Sequence, residues 1–186
     1  MVNYGSITIL VALTIVAIIT IPFILDESNN TKFALDCTRE LEAHKIYINC
    51  DLSNMDLSNM DLSGITLSGS NLSGANLEGS NLSGALINSI NFTNTNLSKS
   101  NMQKANIQDS IFKNTNLTDS DFSMSYAADS IFLETNMEGS NFYKSHLTGA
   151  SFTNVDLMHV NFTDANFYTK ELGPTIFENC KNFELC

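Results

Sequence analysis

Four cysteines and three histidines are the side chains of this 186-residue chain best suited to catalysis, metal binding or covalent cross-linking. Their spacing narrows that choice. His44, His146 and His159 are isolated, and no cysteine is placed to form a nucleophile–base pair with one of them. Neither a metal-ligand spacing nor a phosphate-binding loop is present. Serine and aspartate are plentiful, but they recur at the fixed interval of a repeat and need no catalytic explanation. The expectation is no catalytic residue, no cofactor, no metal and no enzyme. Cys37 and Cys50 precede a long periodic stretch, and Cys180 and Cys186 follow it. Two cysteines at each end of a body roughly 29 Å long (its coils stack at about 4.8 Å) cannot make one four-ligand site. Local pairs Cys37–Cys50 and Cys180–Cys186, stapling the two ends in an oxidising compartment, are the expected chemistry.

The periodic stretch runs over residues 51–169 and counts in fives. Every fifth residue from Leu52 through Leu57, Leu62 and onward to Phe167 is large and apolar, 24 positions with Ala127 as the one small exception. On an α-helix this set would spiral around the cylinder, since residues five apart stand about 140° from one another. In a plain strand an odd period throws alternate members to opposite faces. The pattern closes only if each unit is a short strand followed by a corner. The large residue and the small one two places before it (Ala75, Ser80, Ala85, Ser100, Ala105) point inward. The residue between them points outward. A pair such as Ser73-Gly74 or Ser83-Gly84 turns the corner and restores the phase. The chain then winds into a solenoid whose coils stack through backbone hydrogen bonds. From Phe112 to Phe162 phenylalanine occupies alternate centres, so an even-sided coil stacks Phe on Phe. One near-right-angled corner per unit makes that four sides.

Ala75-Asn76-Leu77-Glu78-Gly79 and Ala105-Asn106-Ile107-Gln108-Asp109 carry a specific likeness. They resemble the pentapeptide-repeat family, whose pattern is Ala-(Asp/Asn)-Leu-X-X, and the likeness covers about two thirds of the chain. It implies an all-β fold, a right-handed quadrilateral β-helix of about six coils. Some members of that family mimic DNA and bind DNA gyrase.

The flanks are expected to anchor and close the solenoid. Residues 7–25 hold 19 positions without a charge, and a helix of that length spans ~28 Å, close to a bilayer core. An N-terminal transmembrane helix is the expectation, with a cleaved signal peptide as the rival. Against the rival, no basic residue precedes the run and no Ala-x-Ala site follows. Lys32, Arg39 and Lys45 follow it, which favours a cytoplasmic solenoid. The cysteines favour the opposite side and are given more weight. Residues 26–50 are read as linker and first cap, and residues 170–186 as second cap over the open ends.

Twenty Asp and Glu against nine Lys and Arg give a net charge of −11, which makes a nucleic-acid backbone an unsuitable partner. With coil neighbours twenty residues apart, two sides present outward columns of Asp56, Asn76, Asn96, Asn116 and Asp61, Asn81, Asn101, Asp121. Stacked amides can hydrogen-bond up such a column. Asn71, Asn81, Asn91, Asn96, Asn116 and Asn161 also head Asn-x-Ser/Thr triplets, which the repeat generates by itself; Asn29 heads another in the linker. The other two sides break the pattern. Ile111 and Ile131 stand in one outward column, Tyr126 in the next across a corner, and Leu133 beside Ile131. That corner carries Asp109 beneath Asp129. A contiguous apolar group edged by acids is the expected interaction surface. Ala127, beside it, is expected to give a partly collapsed interior or a small bulge.

The leading functional expectation is a non-enzymatic solenoid, held to the membrane through residues 7–25, that presents this patch to a protein partner or to a second copy outside the cell. The alternative is an acidic DNA mimic that binds a topoisomerase, for which 12 acids against four bases over residues 51–169 give a suitable charge. A sheath of solenoids stacked end to end comes third.

Overall fold

The computed structural model describes Cys37 and residues 41–169, 173–174, 176–178 and 181. All belong to the second of two compact units, Met1–Ala34 and Leu35–Cys186. The expected membrane segment at residues 7–25 therefore lies outside the described residues, as do Cys180 and Cys186. Among the described residues no helix is long and apolar enough to cross a membrane.

Within the second unit the chain is a four-sided parallel β-helix. Outward residues bridge the residue twenty positions on, as in Asp51↔Asn71, Asp56↔Asn76, Asp61↔Asn81 and Thr66↔Leu86, one bridge for each side. The ladder begins at Ile46↔Thr66. The outward residue donates to the coil below and the centre donates to the coil above: Asn71 N to Cys50 O at 2.9 Å, Leu52 N to Asn71 O at 2.8 Å. Most contacts with the next coil are one residue wide. On one side they widen into three-residue strands, β1 (Ile111–Lys113), β2 (Ile131–Leu133) and β3 (Ser151–Thr153).

Each corner requires its second residue to adopt positive φ. Seven glycines do so, Gly64 to Gly84 and Gly139 and Gly149 among them, but so do 18 other residues, from His44 to Asp164. None of the 18 is β-branched, the side-chain class that left-handed backbone tolerates least. Asn, Asp, Lys and Ser carry most of these corners, which fits the turn preferences of the amide and carboxylate side chains.

The core is four columns of centres. Phe92, Phe112, Phe132 and Phe152 stack face to face with centroids 4.7–4.8 Å apart. On the opposite side Phe122 stacks on Phe142 at 4.8 Å. The two columns meet edge to face, Phe112 on Phe122 at 6.1 Å and Phe132 on Phe142 at 5.8 Å. Both geometries are favoured by the ring quadrupole. Parity in the sequence therefore translates directly into aromatic columns. Ala127 is fully buried, and the ladder runs through it unbroken, Ala127 N to His146 O at 2.8 Å and Ile107 N to Tyr126 O at 2.8 Å. The bulge considered there does not form.

At the C-terminal end the rhythm changes once. Tyr168–Thr169 (β4) and Gly173–Pro174 (β5) pair antiparallel, and Ile176–Glu178 (β6) then lies parallel on β3, with Ser151↔Ile176 and Phe152↔Phe177 in register. That step is 25 residues (176 − 151) where the others are twenty. The excursion adds one whole unit, so Phe177 still lands on the Phe152 ring, 5.1 Å away. At the other end Leu41 and Tyr47 are buried against the first coil, and Cys37 is disulfide-bonded to Cys50 across a Cα separation of 5.6 Å.

Candidate functional site

The outward asparagines do two jobs at once. Each side-chain oxygen accepts the backbone N–H two residues on, as Asn76 Oδ1 does from Glu78 N at 3.2 Å. Each amide nitrogen donates to the coil below: Asn96 to Asn76, then Asn116 to Asn96, both at 3.2 Å. The ladder therefore has a polarity. An ionised aspartate accepts and cannot donate, so it suits the foot of a column, and Asp51, Asp56 and Asp61 stand there. They accept from Asn71, Asn76 and Asn81 at 3.2, 3.1 and 3.0 Å. Asp121 interrupts one column midway, since it has no proton to give Asn101 below. Burial raises its pKa, but donation from Gln103, from the Ser123 N–H and hydroxyl, and from Asn141 outweighs that and holds it low.

At the three feet the Ser53, Ser58 and Ser63 hydroxyls, followed by the N–H groups of the same residues, hold the carboxyls below the usual carboxylate range. A carboxyl lowered on folding stabilises the fold above its unfolded pKa of about 3.9 and loses that contribution as pH falls through the folded value. Thermal unfolding scanned from neutral pH to below about 4 is thus expected to show falling stability. The Asp51→Asn, Asp56→Asn, Asp61→Asn chain keeps acceptors that do not titrate, so its loss over the same window is expected to be shallower.

The apolar patch departs from this scheme. Ile111 and Ile131 are register partners on β1 and β2, and each is 42 % exposed. Leu133, partnered with Lys113, is half-buried. Tyr126 lies on the neighbouring side, exposed, with its ring stacked on His146 at 4.8 Å. Ala128 and Asp129 form the corner between the two sides. Asp109 and Asp129 are both exposed, in consecutive coils. Asp129 aims Oδ1 over Gly149, where a Cβ would collide with it, and so leans toward the coil above and away from Asp109. The missing side chain at Gly149 thereby gives this carboxylate room. Two members of the surface were not anticipated. His146 stands twenty residues after Tyr126, a spacing that could have flagged the pair. Ile176 continues the isoleucine column above Ser151, but only through the 25-residue step, which nothing in the count announces. Among the described residues no three of His, Cys, Asp and Glu gather as a metal site.

A four-sided solenoid of five-residue units, with small residues and large centres inward and asparagine outward, defines a class of repeat protein. The family model of pentapeptide repeats in eight copies matches residues 48–84, and that of the pentapeptide repeat region matches residues 85–162. The chain belongs to the pentapeptide-repeat family. Among solved structures it is similar to HetL, a pentapeptide repeat protein involved in heterocyst differentiation regulation in the cyanobacterium Nostoc sp. strain PCC 7120. Identity is 18 %, coverage 73 % of this chain and 84 % of that one, TM-score 0.33. A pentapeptide repeat protein of the Arabidopsis thaliana thylakoid lumen is 25 % identical over 60 % of this chain and 68 % of its own, TM-score 0.32. QnrB1, a plasmid-mediated fluoroquinolone resistance protein, is 18 % identical over 76 % and 92 %, TM-score 0.33. No curated protein matches the chain.

Proposed function

We propose that this protein is a non-enzymatic, membrane-anchored solenoid that presents the Ile111–Ile131–Tyr126 face to a protein partner outside the cell. The observation that carries the reading is the pair of register-matched isoleucines standing outward where the lower coils of the same column hold Asp51, Asn71 and Asn91. They cannot turn inward without a one-residue slip that would expel the phenylalanine column from the core. The apolar run at residues 7–25 supports the anchor, and the Cys37–Cys50 bridge supports an oxidising location.

The test is the double change Ile111→Asn and Ile131→Asn, which restores the residue type of the lower coils. Its circular-dichroism spectrum and melting temperature should match the wild type. Burial of each isoleucine contributes about 1.5–3 kcal/mol to a contact, so association should weaken by roughly tenfold or more. Sedimentation tells a second copy from a different partner recovered by crosslinking. A variant that keeps both its oligomeric state and all its crosslinked partners would sink the proposal. The charge of the solenoid favours a second reading, an acidic body that occupies a topoisomerase in place of DNA. Labelling of the thiols in intact cells separates the two, because that reading needs a cytoplasmic solenoid.

A further inference from the structure

The outward columns carry six Asn-x-Ser/Thr triplets, headed by Asn71, Asn81, Asn91, Asn96, Asn116 and Asn161. The ladder engages five of the six amide nitrogens. Asn71 donates to Asp51 at 3.2 Å, Asn81 to Asp61 at 3.0 Å, Asn96 to Asn76 and Asn116 to Asn96 at 3.2 Å, and Asn161 to Asn141 at 3.0 Å. Asn91 is different. Its Oδ1 accepts Thr93 N at 3.0 Å as in every unit, but its Nδ2 donates to nothing, and the residue is exposed. The hydroxyl two places on is also uncommitted at Thr93. At two other triplets it is turned back onto the asparagine itself, Ser98 Oγ to Asn96 Oδ1 at 2.9 Å and Thr118 Oγ1 to Asn116 Oδ1 at 2.7 Å. Asn91 sits where its column changes character, with Asn71 below and Ile111 above.

We infer that Asn91 is an N-glycosylation site and that the other five triplets are not used in the folded protein. The inference rests on the extracytoplasmic reading given above. The co-reactant is a polyprenyl-diphosphate-linked oligosaccharide. The bond from Asn91 Nδ2 to the sugar C1 forms, the bond from C1 to the diphosphate oxygen breaks, the lipid diphosphate leaves, and Nδ2 gives up one proton. At Asn91 this costs the fold no hydrogen bond. At a ladder asparagine the substituent would have to fit between coils stacked at about 4.8 Å, on a nitrogen already bonded to the coil below. A chain so modified before folding would be lost from the folded fraction. A glycan on Asn91 would also border Ile111, closing the patch at its lower edge and leaving Ile131, Tyr126 and the coils above as the open side.

The full chain is produced in a host that glycosylates secreted proteins, once as it stands and once behind an added cleavable secretion signal. Folded protein is treated with an N-glycan-releasing glycosidase in heavy-oxygen water, and its peptides are mapped by mass spectrometry. With the added signal, Asn91 is expected to carry the label and Asn71, Asn81, Asn96, Asn116 and Asn161 to lack it. Asn91→Gln and Thr93→Ala should each abolish labelling of the peptide while leaving the melting temperature unchanged. An unlabelled Asn91 in this arm overturns the assignment, and so does label spread over the ladder asparagines of folded protein. Loss of label only in the arm without the added signal overturns the extracytoplasmic reading, while the labelled Asn91 of the first arm upholds the site.

Discussion

Phe132→Asp is expected to yield a chain that does not fold at 25 °C. Phe132 is fully buried, its ring sandwiched between Phe112 at 4.8 Å and Phe152 at 4.7 Å and set against the edge of Phe142 at 5.8 Å. Truncating such a ring to alanine alone costs about 3–5 kcal/mol. The carboxylate adds the penalty of a buried polar group with no partner, whether it stays ionised or takes up a proton. The sum approaches the ~5–15 kcal/mol by which whole domains are stable. Phe132→Leu is the control. Leucine fills the same column at Leu52 and Leu72, and the expected loss is about 1–2 kcal/mol. Urea titration followed by circular dichroism measures both. A Phe132→Asp chain with the wild-type midpoint would show that the aromatic column does not carry the core.

The second large effect belongs to the disulfide. Cys37 and Cys50 are 13 positions apart, and a loop of that size is stabilised by its bridge by about 3 kcal/mol. Cys37→Ala should lose most of that, and the loss should be local. A solenoid's stability is a sum over neighbouring coils, so its end can fray without the middle. Hydrogen exchange read by mass spectrometry is expected to quicken around Tyr47 and Cys50, which are buried in the first coil, and to stay slow around Phe112 and Phe132. Faster exchange throughout would mean that the terminal coil nucleates the whole structure.

The difference between these regions also explains what could be read from the chain. The centre positions repeat 24 times, so each unit independently supports the period, and one exception such as Ala127 cannot shift it. The columns follow by counting, and with them the isoleucine pair and its neighbour Tyr126. A cap occurs once. Leu41 and Tyr47 seal the first coil, yet nothing periodic marks them as inward. The freedom of the Asn91 amide was equally hidden, because its triplet is identical in kind to five others and only the polarity of the ladder tells them apart. The β4–β5 hairpin lies between those cases. Pro174 signalled an end to the regular ladder, but whether the pattern resumed depended on pairing at a distance that no local signal encodes.

That hairpin says something about how such a gene changes. Between Ser151 and Ile176 the chain is five residues longer than between any other bridged pair on that side, and Phe177 nonetheless rests on Phe152. Tolerance of insertion here depends on remainder rather than on size: a surplus of one full repeat is looped out at a corner, whereas a surplus of one or two residues would turn every later centre to the solvent. Duplication and deletion by slippage between near-identical DNA repeats produce whole-unit steps of this kind. The mutational process that repetitive DNA suffers most often is therefore the one this architecture absorbs best, and solenoid length becomes a trait that inheritance can adjust without first breaking the fold.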